Sequence, residues 1–526
     1  MRFGRLEGMP LASAEQRVMA RPVVDGVAVA LLVIAGIFLF ANLGSGYLWQ
    51  DEAETAVLAR NTLKFGYPRA FDGRNYVDID PAIGYGPGES WIYSPWLPFY
   101  LLAGVFAVTG ESTGVARVTF AVFGFVSVWL AWRLACRLTA DRRIQRLSVA
   151  LLVCSVPFLL HARQCRYYSL TTALVLGVCL VYLALLRRPS ARCSLLLGGL
   201  LALLFHTNFG IFIPVSGAVA AHQLLGIRRA GRRHLLLLTA LVAVLTVPWA
   251  AAFYKPGAFV GRISLGRFTD HLEYYVRITN KYLVPLAVML ASSGLWWIMT
   301  RRSSQPPKAS RRSTTDLWFL ALVVGFQAAF LLIVPDQRHM RYLIPILPLM
   351  LIGEAWWLAA WLHRNRLIGS GLIAAALFTN VLQSPHVRIP LADFAYELTH
   401  PYVGPMEGVV AYLKQHARSD DVVKIPYDER TLMFYTGVRV ERPSQFLQET
   451  DPDWVVIRRD WIPPQFFESD YFRRIQATYE RIELNAPDIL WQNREDPGSH
   501  HFRTVQGGPR VVIYHKRMTP TTGRVG

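Results

Sequence analysis

Charged residues are scarce in this chain of 526 residues. Asp, Glu, Lys and Arg make up 17% of it, whereas about a quarter of the residues of a soluble globular protein are charged. Apolar residues account for 53%, and there are 15 Trp, 22 Tyr and 28 Phe. This composition excludes an ordinary water-soluble enzyme, and its apolar content also excludes an intrinsically disordered chain. We therefore predict a protein whose main solvent is lipid.

Cysteine is also rare. The five cysteines are an odd number, and all of them lie between positions 136 and 193. A small disulfide-stabilised domain would contain an even set of its own, so we expect no disulfide scaffold. The tail, residues 386–526, also lacks a glycine-rich phosphate loop, a zinc-ligand spacing and a nucleophile elbow.

Long apolar runs dominate the rest of the chain and predict membrane spans. A helix that crosses about 30 Å of hydrocarbon needs about 20 predominantly apolar residues. Eleven runs fit, the shorter ones with their flanking residues: 27–43, 115–132, 147–160, 169–186, 194–205, 209–225, 235–253, 282–300, 317–334, 343–361 and 367–384. A further run, 97–109, is predicted to be an interfacial or re-entrant helix, and two extra short spans would preserve the same sidedness.

The basic residues fall between these runs and predict the orientation. The net charge of +19 is concentrated in short connections, which are 133–146, 187–192, 226–234, 301–316 and 363–366. These connections all lie on one side if 97–109 does not cross, which by the positive-inside rule makes that side cytoplasmic. We therefore predict a cytoplasmic N-terminus, an extracytoplasmic C-terminus and no nucleic-acid partner. The first run has no signal-peptide cleavage site after it and should remain as an anchor in the plasma (inner) membrane.

Three regions follow from this topology: a cytoplasmic segment 1–25, a membrane region 26–385 with a first outer loop 45–96, and an outer domain 386–526. The tail alternates predicted helices and strands, which favours a small α/β domain for acceptor binding or for support of the membrane region. Its predicted helices are 405–417, 429–437 and 464–478, and its predicted strands are 421–427, 454–459 and 511–517.

The first outer loop contains seven acidic residues. From Asp51 the sequence DEAETAVLARNTLKFG predicts one helix with acids in its first turn, and Gly66 followed by Pro68 predicts its end. Asp51 and Glu52 complement the helix dipole on the simplest interpretation. Their position directly after the first span also favours a role in chemistry at the membrane boundary. Asp78 and Asp80 form a D-x-D, a weak candidate for a divalent metal.

Two further outer connections combine arginine with tyrosine. HARQCRYY contains Arg163, Arg166 and Tyr168, and PDQRHMRY contains Arg338, Arg341 and Tyr342. Arginine presents a planar fork that matches phosphate oxygens. The alternative is interfacial anchoring, with arginine at lipid head groups and tyrosine in the aromatic belt.

Four segments together resemble the GT-C glycosyltransferases. They are YLWQDEAETAVLARNTLKFGYPRAFDG, WIYSPWLPFYLLAGVFAVTGESTGVAR, HARQCRYYSL and RYLIPILPLM, in that order. The similarity covers roughly residues 25–385 and is greatest to the family 39-like branch, which is related to protein O-mannosyltransferases and to the aminoarabinose transferase of lipid A. The resemblance implies a polytopic α-helical membrane protein with about 11–13 transmembrane helices, to which the small C-terminal α/β domain is added.

The resemblance also implies the reaction. A sugar would pass with inversion from a polyprenyl-phosphate donor to a lipid, glycan or protein acceptor on the outer face. Asp51 would be the general base and Glu52 would orient the base or the acceptor. The donor phosphate would be bound by the basic and aromatic residues of the two outer connections, which are Arg163, Arg166, Arg338, Arg341, Tyr168 and Tyr342. Several relatives have an acid in the connection 161–168, and this chain has none there. The resemblance therefore does not establish a divalent metal cofactor at this position.

Two other classes of protein remain open at this stage. A multi-span transporter or flippase of a lipid-linked glycan would also have many spans, and Glu354 lies inside a predicted span, where a charge is costly and suggests function. Transporters usually contain internal repeats, and none is evident here. A membrane scaffold would leave the acidic pair and the outer arginines without a role.

Overall fold

The computed structural model describes residues 25–78, 84–226, 230–253, 264–300, 311–490, 497 and 499–517. Each predicted span coincides with one or two α-helices. The helices of the membrane region are α1 (Gly26–Phe40), α2 (Gln50–Phe65), α3 (Leu97–Thr109), α4 (Thr113–Leu138), α5 (Arg142–Cys154), α6 (Val156–Ala162), α7 (Tyr168–Arg187), α8 (Ala191–Phe205), α9 (Phe209–Leu224), α10 (Arg232–Phe253), α11 (Leu265–Ile278), α12 (Leu286–Thr300), α13 (Arg311–Ile333), α14 (Leu347–Arg364) and α15 (Arg366–Phe378).

Helix length divides these elements into two groups. Within the described ranges, five helical segments are long and apolar enough to cross a membrane: 113–138, 168–187, 232–253, 316–333 and 340–364. Other apolar helices, among them α1, α8 and α9, are 10–17 residues long. The membrane-spanning character is therefore confirmed, whereas the number of eleven spans stays a prediction.

The predicted span 147–160 is broken. It consists of α5 and α6, whose axes differ by 63° at Ser155. The Ser155 hydroxyl accepts a hydrogen bond from the Phe158 backbone N–H and Pro157 lies in the first turn of α6, so the sequence begins a new helix there. The run 97–109 is helix α3, which packs along α2 and α4.

Ion pairs distinguish the two ends of the helix bundle. At one end, Arg146 binds Asp25 before α1 and Arg187 binds Asp316. At the same end His363 contacts Asp141. The end that contains these residues is called the arginine-loop end. The opposite end, where α1 finishes and α2 begins, carries the tail and is called the sheet end.

The tail contains a five-stranded sheet in the order β2-β1-β3-β5-β4. Its strands are β1 (Val422–Lys424), β2 (Arg439–Val440), β3 (Trp454–Ile457), β4 (Tyr479–Pro487) and β5 (Arg510–Lys516). β1 is parallel to β2 and β3, whereas β5 is antiparallel to β3 and β4. The helices of the tail are α16 (Pro390–Thr399), α17 (Pro405–His416), α18 (Glu429–Tyr435), α19 (Pro464–Glu468) and α20 (Asp470–Thr478).

Alternation in β3 gives the sheet two apolar faces. Val455 and Ile457 pack with α19 and α20, whereas Trp454 and Val456 belong to the same apolar cluster as α2 and α3. This is the period of two expected of a strand that is buried on both faces. One face of the sheet is therefore continuous with the core beneath the first outer loop, and the tail is docked against that loop rather than tethered to it.

Most predicted elements of the tail are observed, one of them is divided, and three observed elements, α16, β2 and β4, have no predicted counterpart. The predicted helix 464–478 is two helices, because Ser469 caps α20 with its side chain. β4 was not predicted, since its sequence YERIELNAP is rich in charge and has no continuous apolar run. Its buried positions include Tyr479, Leu484 and Ala486.

Candidate active site

Helix α2 positions the acidic residues at the sheet end. Glu52 accepts a hydrogen bond from the Trp49 backbone N–H at 3.3 Å and so closes the first turn, while Asp51 and Glu52 both lie where the helix dipole favours negative charge. Gly66 ends the helix in the left-handed region with φ 82°, a conformation that glycine adopts without strain. The predicted boundaries of this helix are therefore confirmed to within one residue.

Asp51 lies between two arginines from the two predicted outer connections. Its Oδ2 accepts a hydrogen bond from Arg341 Nη1 at 2.8 Å, and Arg166 Nη2 is 3.8 Å from the same oxygen. The side chain of Asp51 keeps 18% of its surface exposed. The two positive groups favour the ionised carboxylate, and the exposed part leaves room for a reacting group.

Glu54 forms the deeper part of the same network. Arg166 Nη1 donates to Glu54 Oε1 at 2.8 Å, and Arg430 from α18 pairs with Glu54 Oε2. Burial by itself lowers the pKa of Arg166, but the charges of Glu54 and Asp51 outweigh it and hold that pKa above its ordinary value. Arg166 therefore stays charged although it is buried.

Glu52 faces a separate and closed environment. Arg117 donates to it with two nitrogens, Nε at 2.9 Å and Nη2 at 2.8 Å, and the Cys165 backbone N–H donates at 2.8 Å. Only 1% of Glu52 is exposed. Arg117 also binds the carbonyl oxygens of Ser45 and Tyr47, so this bidentate pair fixes the turn between α1 and α2.

Three tyrosines lie near Asp51 and Arg341. Tyr93 and Tyr167 are close enough to both residues to interact with them electrostatically, and the Arg341 guanidinium lies 5.8 Å from the centroid of the Tyr342 ring. Burial raises the pKa of both Tyr93 and Tyr167, so these phenols stay neutral. The Arg166 guanidinium lies over the Tyr167 ring, 5.3 Å from its centroid. The arrangement combines one carboxylate, two guanidinium groups and neutral aromatic walls.

The other sequence-predicted residues lie around this centre in different surroundings. Arg163 donates to the carbonyl oxygens of Phe38 and Ala41 at the end of α1, where it caps the helix. Tyr168 is 1% exposed and stacks edge-on with His161. The structure therefore brings Arg166 and Arg341 to Asp51 and places Arg163 on the main chain of the first span.

Arg338 lies on an open cleft near Arg341. The cleft is lined by Tyr274, Arg277, Asp336, Gln337, Arg338 and His339. Arg338 donates to the Asp270 carbonyl oxygen at 3.3 Å and lies over the Tyr274 ring, 5.6 Å from its centroid. Arg277 and Arg338 are both exposed, so the cleft can receive an anion.

The residues described here do not fit a divalent metal. Within the described ranges, no group of three or more His, Cys, Asp and Glu is arranged to hold an ion. Asp51 and Glu54 face guanidinium groups, which compete with a cation for the same oxygens. Asp78 accepts from the Ser444 N–H at 3.3 Å, and Asp80 lies outside the described residues, so the D-x-D stays a prediction.

Sequence reasoning missed four residues of this centre. They are Glu54, Arg117, Arg277 and Arg430. Glu54 shares the acidic first turns of α2 with Asp51 and could have been noticed there. Arg117 and Arg430 are 65 and 376 residues from their partners, and no local pattern distinguishes them from surface arginines.

Comparison with known proteins agrees with the fold. No family model matches the sequence, and a search of curated proteins also gave no match. Among solved structures, ArnT from Cupriavidus metallidurans in the apo state is 14% identical with a TM-score of 0.54, covering 96% of this chain and 98% of ArnT. The same protein bound to undecaprenyl phosphate gives a TM-score of 0.53, 14% identity and coverage of 94% and 98%.

A second structural neighbour is larger. The arabinofuranosyltransferase AftD from mycobacteria is 16% identical with a TM-score of 0.50, and the match covers 93% of this chain but 41% of AftD. These neighbours share the GT-C architecture, as the resemblance in the sequence implied. The chain is therefore an integral membrane protein with the GT-C glycosyltransferase fold and a small C-terminal sheet domain.

Proposed function

We propose that this protein is a glycosyltransferase that moves a sugar, with inversion, from a polyprenyl-phosphate donor to a hydroxyl of an envelope lipid, glycan or protein. The observation that supports this most directly is the partly exposed Asp51 carboxylate between Arg341 and Arg166. The fold shared with ArnT, a protein whose structure contains undecaprenyl phosphate, supports the lipid-linked donor.

Asp51 is the proposed general base. A hydroxyl is a poor nucleophile, and a carboxylate within hydrogen-bond distance accepts its proton as the new bond forms. In the proposed step the acceptor oxygen attacks the anomeric carbon, its proton passes to Asp51, and the bond from that carbon to the phosphate oxygen breaks. The phosphate leaves with both bonding electrons and an additional negative charge.

The arginines are the proposed stabilisers of that charge. Arg341 already contacts Asp51, so a phosphate beside the base would meet the same guanidinium. Arg338 and Arg277 line the open cleft together with Asp336 and are proposed to add positive charge for the phosphate. Fixed cations aimed at developing negative charge lower the barrier without reorganisation during the step.

Glu52 is proposed to position Asp51 rather than to react. All of the contacts that Glu52 makes with Arg117, Trp49 and the Cys165 backbone hold the start of α2. Tyr342 and Tyr168 are proposed to shape the walls of the donor site. Arg163 remains a predicted phosphate ligand, although its contacts with the end of α1 favour a structural role.

The sheet end is proposed to be extracytoplasmic. Arg146 and Arg187, from two of the basic connections, make ion pairs at the arginine-loop end, and the positive-inside rule assigns such connections to the cytoplasm. The proposed active site then faces the outer leaflet. A reporter fused after residue 385 tests this orientation directly.

The experiment that tests the function compares purified wild type with Asp51→Asn. The substitution nearly preserves shape and removes the proton acceptor. We expect transfer from one member of a panel of radiolabelled polyprenyl-phosphate sugars to envelope extract, and a rate about 10² to 10⁴ lower in the variant. Asp420→Asn, a change of an exposed acid in the tail, is the matched control and should transfer at the wild-type rate.

Each outcome has a distinct meaning. Full transfer by Asp51→Asn would reduce Asp51 to a helix-terminus acid and require another base. No transfer by wild type from any donor would contradict the glycosyltransferase proposal, and a flippase assay with the same lipids in liposomes would then test the transporter alternative. Unfolding of the variant, measured by size-exclusion chromatography, would move the test to the conservative change Asp51→Glu.

A further inference from the structure

Glu354 is an acidic residue inside the membrane region that the proposed reaction does not use. It lies in α14, about 10 Å of helix from Leu347 at the sheet end and about 15 Å from Arg364 at the other end. The residue is 3% exposed. In the part of the chain that the structure describes, its carboxyl group makes no hydrogen bond or ion pair. A buried ionisable group at this depth is costly and indicates function.

A cavity lies against this carboxyl group. It occurs where α5 breaks into α6, where α15 ends, and where a π-helical turn precedes α12. The space between atoms in this cavity is about 590 Å³, part of which is open to the surroundings. The helices pack closely around α14, and the breaks and ends leave a small space beside the Glu354 carboxyl group.

The lining of the cavity is apolar with a few neutral polar groups. Leu151, Leu351 and Leu377 supply apolar walls, and Thr379 and Gln383 supply oxygen atoms. None of the described residues that line it is basic. The carboxyl group of Glu354 is thus the one ionisable acid in a cavity whose protein walls offer it no counter-charge among the described residues.

A carboxyl group in such surroundings needs either a proton or a cationic partner. Since the described walls supply no cation, a cationic partner has to be part of a ligand. We propose that this cavity binds an amphiphile with a primary ammonium group, which donates hydrogen bonds to Glu354 while its apolar chain lies against the leucines. Thr379 and Gln383 can accept the remaining N–H groups.

This site is separate from the proposed active site. The cavity shares no lining residue with the Asp51 centre or with the open cleft of Arg277 and Arg338. The charge preferences are also opposite, because arginines surround Asp51 and favour anions, whereas a lone acid at Glu354 favours a cation. Binding at Glu354 can therefore be measured without any assay of transfer.

The first test is thermal unfolding of the full-length protein in detergent with dodecylamine as the probe. We expect dodecylamine, below its micellar concentration, to raise the Tm of wild type, and dodecanol at the same concentration to leave it unchanged. Glu354→Gln keeps the shape and removes the negative charge, so it should weaken the apparent affinity for dodecylamine at least tenfold. Asp420→Asn removes an exposed acid of the tail, outside the cavity, and should respond like wild type.

The second test measures the carboxyl group itself. Dicyclohexylcarbodiimide, an apolar reagent, adds to the protonated Glu354 carboxyl group to give an O-acylisourea, which rearranges to an N-acylurea or forms an amide with an amine and releases the urea. Dodecylamine should lower the total modification of Glu354, counted by mass spectrometry as N-acylurea plus dodecylamide, at least tenfold. Labelling that dodecylamine does not reduce, or an equal Tm rise in Glu354→Gln, would overturn the proposal. A Glu354→Gln protein that fails to fold would leave the protection measurement on wild type to decide.

The source of the amine is distinguished in lipid nanodiscs. If phosphatidylethanolamine protects Glu354 from the reagent and phosphatidylcholine does not, the ligand is a lipid head group. If dodecylamine alone protects, the ligand is a single-chain amine. Protection by none of the three would contradict the site.

Discussion

Two neighbouring acids at the start of α2 occupy opposite environments. Asp51 is 18% exposed and pairs with one guanidinium nitrogen of Arg341, whereas Glu52 is 1% exposed and is held by Arg117 and two backbone N–H groups. The sequence presents both as equivalent acids in a first helical turn. The comparison shows that Asp51 is accessible to a reacting group, whereas Glu52 is held in place by its hydrogen bonds.

The same division extends to the surroundings of the two residues. The open side of α2 contains Arg166 and Arg341, and Arg430 connects the deeper residue Glu54 to the tail. The closed side contains Arg117 and, across a small cleft, Glu407 of α17. Substitutions on the closed side should therefore change stability most, and substitutions on the open side should change transfer most.

The largest effect is expected from Arg117→Leu. It leaves Glu52 buried without its charge partner, which typically costs about 3–5 kcal/mol of stability. The free energy of unfolding should be measured by SDS titration in mixed micelles. The double variant Arg117→Leu with Glu52→Leu should recover most of the loss. A single variant as stable as wild type would remove the distinction between the two sides.

Arg341→Gln should have the next largest effect, this time on transfer. Loss of one donor to a developing oxyanion typically costs about 10² to 10³ in rate. The partly exposed pair with Asp51 should cost about 1 kcal/mol or less in stability. Arg341→Lys keeps the charge without the planar fork and should restore only part of the rate. Equal kcat in wild type and Arg341→Gln would contradict the open-side assignment.

Arg430→Gln should have an intermediate effect on the docking of the tail. It removes the charged hydrogen bond to Glu54, and such bonds contribute about 1.5–3 kcal/mol. Hydrogen exchange should therefore become faster in α18 and at the start of α2, with little change in α20. Arg439→Gln, an exposed arginine of β2, is the control. Unchanged protection of α18 would show that the apolar contacts alone dock the tail.

The smallest effect is expected in the pH dependence contributed by Glu407. Burial raises its pKa above the ordinary value of 4.5, although the Tyr47 and Gly404 N–H groups lower it. The folded protein therefore binds a proton more tightly than the unfolded chain, so this contribution is full below about pH 4.5 and is lost as pH rises through the folded pKa. Glu407→Gln should reduce the fall in Tm as the pH rises above about 4.5. An identical pH profile would contradict this assignment.

Local sequence patterns predicted the helix and strand boundaries better than the contacts between distant residues. The acids, Gly66 and Pro68 define α2 because capping and helix termination depend on neighbours in sequence. The Asp51 centre was partly predictable, since Arg166 and Arg341 stand out beside tyrosines. Arg430 was not, because an arginine that follows a glutamate in a short tail helix resembles any surface residue. Its role depends on how the sheet docks, and that depends on apolar faces contributed by segments far apart in sequence.

The ion pair between Arg430 and Glu54 can form only late in the synthesis of the chain. Glu54 is synthesised 376 residues before its partner, which at ordinary translation rates of 5–20 residues per second is about 20–75 s. During that interval α2 has already been synthesised. After Arg166 is made, it is the partner that Glu54 has among the described ion pairs until Arg430 follows. The charge network is therefore completed only late in synthesis. In a nascent chain stalled before residue 430, Glu54 should lack its ion pair with Arg430.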